Sequence, residues 1–183
     1  MKLSMLFADT PAFFARWSGR TLARMLTVVA LAALAVTVAA PVQADDDTQR
    51  VVYHVDYADP TRYSATLTSI NNLINDAEQK LQPWDVHMVL VGFGIRFATD
   101  DPLENMPAPY AADEALDERR DELKGRLQTL MEIRDVKVHL CEVTRSEVGL
   151  DKDKLYEGIG LVGSGVAEIA DLQRAGYAYL KIQ

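Results

Sequence analysis

The residues of this sequence whose types could do chemistry are one cysteine, Cys141, three histidines, His54, His87 and His139, and two glycine pairs, Gly92/Gly94 and Gly163/Gly165. A single thiol cannot close an internal disulfide, so Cys141 is either a small buried hydrophobe or a nucleophile. Thr144-Arg145-Ser146-Glu147 just beyond it fits a capping box. Amides at that helix start, with Thr144 and the positive charge of Arg145, would favour a thiolate, while Glu142 would oppose it. A thiolate so placed can attack sulfane sulfur and hold it as a persulfide. Gly163-Ser164-Gly165 could offer amides to an anion such as a sulfur oxyanion. Its plainer reading is a tight turn in which Ser164 caps a helix. Gly92-Phe93-Gly94 carries the same two readings.

Other chemistries find less support. No two of the histidines and Cys141 have the close helical or Cys-x-x-Cys spacing of a metal site, so neither a metal nor a cofactor is expected. His139 and Cys141 share one face of a strand. His54 could approach Cys141 if their strands are neighbours. Ser164 lacks the Gly-x-Ser-x-Gly frame of a hydrolase nucleophile. Asp100-Asp101 reads as loop, and Glu118 with Glu122 as a solvated helix face. Tyr53, Tyr57, Trp84 and Tyr177 read as core or oligomer contacts.

The elements that must position these residues alternate between strand and helix. Arg50–Asp56 is a β-branched and aromatic run suited to a buried strand. Asp59-Pro60 then predicts a helix, with Asp as N-cap and Pro in the first turn. Its apolar stripe runs Tyr63, Leu67, Ile70, Ile74, Ala77 and Leu81, and Pro83 stops it. Asp85–Gly92 is apolar on both alternations from Met88 on, as in a sheet covered on both faces. An acidic, Pro-rich loop over 99–111 leads to one long predicted helix over 112–132. Strands follow over 136–141, 159–162 and 177–182, with a helix over 166–174 that Gly176 closes. This order predicts an α/β fold whose mostly parallel five-stranded sheet carries helices on both faces. Ligands in such folds sit beyond the carboxyl ends of the strands. The loops at 56–59, 92–97, 141–145 and 163–165 meet there.

The first forty-odd residues read as an address. Lys2, Arg16, Arg20 and Arg24 precede an apolar run from Met25 to Ala40, and Pro41-Val42-Gln43-Ala44 offers small residues before a cut. We expect a Sec-type signal peptide over residues 1–44, cleaved after Ala44 or retained as an anchor, and a single domain over 45–183. No Arg-Arg pair stands before the run to suggest the twin-arginine route, and no cysteine stands near the cut for lipid attachment. The formal charge of the chain is −8. The leader holds most of its charge as arginine and lysine, so the domain behind it is more acidic still. Such a domain repels phosphate backbones and anionic lipid, which argues against nucleic acid or, after cleavage, a membrane as partner.

Four stretches resemble the DsrE/DsrF-like family: VVYHVDYADP, VHMVLVGFG, VKVHLCEVTRSEVGLDKDKL and GLVGSGVAEIADLQRAGYAYLKI. Together they cover nearly all of residues 50–183, and the order and the C-terminal block are more specific than any one motif. The resemblance implies a flavodoxin-like three-layer fold assembled as a homotrimer or homohexamer. It also implies sulfur handling, with Cys141 as a persulfide site that exchanges sulfur with a donor or acceptor protein. The export signal and the long loop 99–111 depart from the pattern of cytoplasmic sulfur relays. The resulting expectation is a periplasmic sulfur carrier of sulfurtransferase type. The alternative is a non-catalytic envelope binding or assembly protein with a buried structural cysteine. A third option, redox signalling through an intermolecular disulfide, shares the exposed thiol.

Overall fold

The computed structural model describes residues 47–183, so the expected leader over 1–44 lies outside the described residues. Strand β1 (Gln49–Val55) leads to helix α1 (Pro60–Gln79), which starts where the sequence demands it. The Asp59 carboxylate accepts a 2.7 Å hydrogen bond from the Thr61 N–H, and Pro60 takes the first turn, where no donor is needed. Tyr63, Leu67, Ile70, Ile74 and Ala77 are all buried. Leu81 corrects the expected stripe. The helix ends four residues before Pro83, and Leu81 follows it with φ +55°, 93% exposed.

Next come β2 (Trp84–Leu90), a 3₁₀ turn (Gly92–Phe97) and the 99–111 loop. The single helix expected over 112–132 is two: α2 (Glu114–Asp117) and α3 (Arg120–Arg134). The ladder tightens at Arg119, whose N–H bonds Leu116 O. There the Arg119 and Arg120 guanidiniums reach away to Pro60 O and Thr99 O. These tertiary bonds override the helical period. Then follow β3 (Lys137–Cys141), α4 (Glu142–Val148), β4 (Gly160–Val162), α5 (Gly165–Arg174) and β5 (Ala178–Leu180).

The sheet has the order β4-β3-β2-β1-β5, and every pairing is parallel. From β1 to β4 the strands progress in one direction, and the last crossover returns past them to β5. Right-handed crossovers running in opposite directions place their helices on opposite faces. Tyr53, Met88, Leu90, Val138 and Leu140 point to the face that α1 and α3 cover, which holds the large core. Among the described residues, the opposite face carries a small cluster of Val52 and Val89 with Ile169 and Leu172 of α5, against which Val91 and Tyr177 pack. Strand alternation places His54, His87, His139 and Cys141 on this thinly covered side. The 99–111 loop belongs to the other side, where Leu103 enters the large core and Met106 and Tyr110 pack against it. Among the described residues, no helix is long and apolar enough to cross a membrane.

Candidate functional site

Cys141 ends β3 and is itself the N-cap of α4, which starts at Glu142. The expected cap at Thr144 is therefore corrected. The strand runs straight into the helix, so the thiol rather than a hydroxyl stands at the helix start. Cys141 is free, and only 4% exposed. Burial acts to raise its pKa, while the nearby backbone N–H groups of Gly165, Thr144 and Val143 and the Thr144 hydroxyl act to lower it. Together they hold it below the ordinary cysteine value.

Two elements supply these donors. From α4, Thr144 is buried, and its Oγ1 also accepts a 3.0 Å hydrogen bond from the Gly92 N–H. That bond ties the β2–3₁₀ junction to the thiol loop. Gly92 has φ +54°, which suits a residue without Cβ. From α5, Gly165 packs against Cys141, where a Cβ would stand 3.1 Å from the cysteine Cβ, while Ser164 caps the helix through the Ala167 N–H. The turn-and-cap reading of Gly163-Ser164-Gly165 is thus the one the backbone adopts, although Gly165 also serves the thiol. A Cβ on Gly163 would meet open space. Gly94 lies elsewhere: its Cα packs on Val55, where a Cβ would stand 2.3 Å from the carbonyl oxygen.

Two other predicted site residues are turned away from the thiol. Arg145 donates from Nε and Nη2 to the Glu142 carboxylate at 2.8 and 2.7 Å, and from Nη1 to Leu150 O. Helical spacing puts Arg145 three residues after Glu142, so the two neutralise each other and neither acts on the sulfur. His54 does not neighbour Cys141, because β2 lies between β1 and β3. It hydrogen-bonds Tyr179 Oη through Nδ1 at 2.9 Å, and Asp56 pairs with Lys181 at 2.7 Å. These side chains meet between β1 and β5, where the strand order reverses. Burial lowers the His54 pKa, opposed by Asp56.

One cluster escaped the spacing rule. His87 on β2, His139 on β3 and Glu168 on α5 bring one donor atom each within 4.8 Å of one another. The two rings stack with centroids 5.3 Å apart, and burial lowers both imidazole pKa values. The available signal was strand alternation: both histidines lie on the α5 face, but only the register of β2 on β3 makes them neighbours.

An all-parallel, five-stranded α/β domain with its one thiol at the carboxyl edge of the sheet defines a recognisable class. The chain belongs to the DsrE/DsrF-like family, whose model matches residues 50–182. Among solved structures it is similar to a protein of unknown function, MTH1491, from Methanobacterium thermoautotrophicum. The identity is 26% and the TM-score 0.55, over 72% of this chain and 97% of that one. A weaker likeness is to the ychN protein from E. coli, 17% identical with a TM-score of 0.48, over 73% of this chain and 99% of that one. No curated protein sequence matches the chain.

Proposed function

We propose that this protein is a periplasmic sulfur carrier of sulfurtransferase type, exported by the leader over residues 1–44 and assembled as a homotrimer or homohexamer. The observation that carries the proposal is the placement of Cys141 at the carboxyl end of β3, where Gly165 of α5 packs against it and the neighbouring amides and the Thr144 hydroxyl lower the thiol pKa. These donors stabilise the anion, which is the nucleophilic form of the thiol and also the form of a bound persulfide. Membership of the family supports a role in sulfur relay.

In the forward step the Cys141 thiolate attacks the outer sulfur of thiosulfate or a polysulfide. A new S–S bond forms, and the donor's S–S bond breaks with its electron pair leaving on sulfite or on the shortened polysulfide. In the return step an acceptor thiolate attacks the outer sulfur of the Cys141 persulfide, and Cys141 departs as thiolate. Val143, two residues after Cys141, and Val166, directly after Gly165, are 49% and 63% exposed. They offer an apolar rim on which an acceptor protein could seat.

A second reading is favoured by the low exposure of Cys141: a non-catalytic envelope binding or assembly protein in which the cysteine is packing. Intact mass after incubation with polysulfide or thiosulfate separates the two. The carrier gains one sulfur, reductant removes it, and Cys141→Ser gains none. A thiol that takes up no sulfur and reacts with an alkylating reagent only after unfolding ends the carrier reading.

A further inference from the structure

The α5 face of the sheet carries a second group of reactive side chains, two residues before Cys141 on β3. His87 Nδ1 and His139 Nε2 face each other at 3.2 Å. Two imidazole nitrogens bound to one tetrahedral zinc at the usual Zn–N length stand about 3.3 Å apart. The pair is therefore spaced as ligands of one ion already are. Glu168 on α5 completes a set of three donors within 4.8 Å of one another, a gap that a rotation of the carboxylate can close.

The surroundings match as well. A ligating histidine as a rule hands its other ring nitrogen to a carboxylate, which fixes the tautomer and aims the ligating atom. His87 Nε2 lies 3.4 Å from Asp85 Oδ1. Asp85 is held in turn by Lys137 Nζ at 2.7 Å and by the Tyr177 hydroxyl, and the Tyr177 ring stands edge-on to His87. Gly160 makes room for the second ligand: a Cβ there would come within 3.1 Å of His139 Nδ1. Lys137 disfavours positive charge at both rings, and its pairing with the Asp85 carboxylate offsets that charge.

We propose that His87, His139 and Glu168 form a binding site for a divalent cation of the zinc class, with Asp85 positioning His87 and water in the remaining coordination place. Two imidazoles and one carboxylate suit zinc and its first-row neighbours and leave the open position typical of a working rather than a structural site. The proposal is independent of sulfur transfer at Cys141.

The test uses tag-free protein produced from the full-length gene, stripped with chelator and titrated with Co²⁺ and then Zn²⁺. One equivalent of Co²⁺ should develop the visible bands of a four-coordinate N/O site, and Zn²⁺ should displace it. His139→Ala and Glu168→Gln should each weaken binding by about tenfold or more, and Asp85→Asn by about 10–100-fold. His54→Ala should bind as wild type. Glu168→Gln keeps size and shape on a half-exposed helical position, so its loss of affinity is not a loss of fold. Absence of Co²⁺ bands in the wild type, or wild-type affinity in both His139→Ala and Glu168→Gln, would overturn the site. A sulfur-to-cobalt band that vanishes in Cys141→Ser would overturn the ligand set.

Discussion

Gly165 and Cys141 are in such close approach that a Cβ added to the glycine would stand 3.1 Å from the cysteine Cβ. The same Cβ would lie 2.6 Å from Cγ2 of Val91 and 3.3 Å from Cγ1 of Val89. This contact sets the N-terminus of α5 beside the thiol, where the Gly165 amide acts to lower its pKa. Gly165→Ala should therefore cost about 1–3 kcal/mol of stability through overpacking. It should also slow alkylation of the native thiol, because α5 must move off the sulfur. Urea unfolding and labelling rates measured together check both; an unchanged labelling rate would show that the Gly165 amide does not serve Cys141.

Thr144 joins two parts of the site with one hydroxyl. Thr144→Val keeps the shape but removes the acceptor for the Gly92 N–H and a donor to the thiol. The stranded amide should cost about 1–3 kcal/mol. With one stabilising donor gone, the thiol pKa rises, so less thiolate is present at neutral pH. Labelling of metal-free protein should slow by a few-fold to about tenfold, and Thr144→Ser should restore it.

Arg96 is buried, and its Nη2 lies 2.8 Å from Asp113 Oδ1, while Nη1 bonds Pro109 O at 3.0 Å. Burial pushes the Asp113 carboxyl up, but the Arg96 guanidinium and the Leu116 N–H outweigh it and hold the pKa below its ordinary 3.8. A depressed carboxyl pKa contributes stability that is complete above the unfolded value and fades as pH falls through the folded one. Asp113→Asn should cost about 1–2 kcal/mol at pH 7, moderated because the carboxylate reaches solvent. The difference from wild type should vanish in acid, below both pKa values. Urea midpoints across that pH range decide it.

Leu81 offers a test in the opposite direction. As an inward member of the α1 stripe its replacement by glycine would open the core. In the structure it is solvated at φ +55°, a conformation that costs a side chain about 1–2 kcal/mol. Leu81→Gly should leave stability unchanged or raise it by up to about 1 kcal/mol, measured as the thermal midpoint. A large loss would return Leu81 to the core.

The order of elements and the fold class are legible in the chain alone. Alternating strand and helix signals with long connections admit little besides a parallel sheet with helices on both faces, and local signals such as Asp59-Pro60 act within one turn. Cys141 was legible as the residue to watch for the same local reason: one thiol, at a strand end. Tertiary structure alone decided what surrounds it. The Gly165 amide arrives from an element 24 positions along the chain, and the order β3-β2-β1 removes His54 from the thiol. It also decided that His87 and His139, 52 positions apart, face each other at 3.2 Å. Periodicity says which face a side chain takes, whereas only the register between strands says which side chains on that face meet.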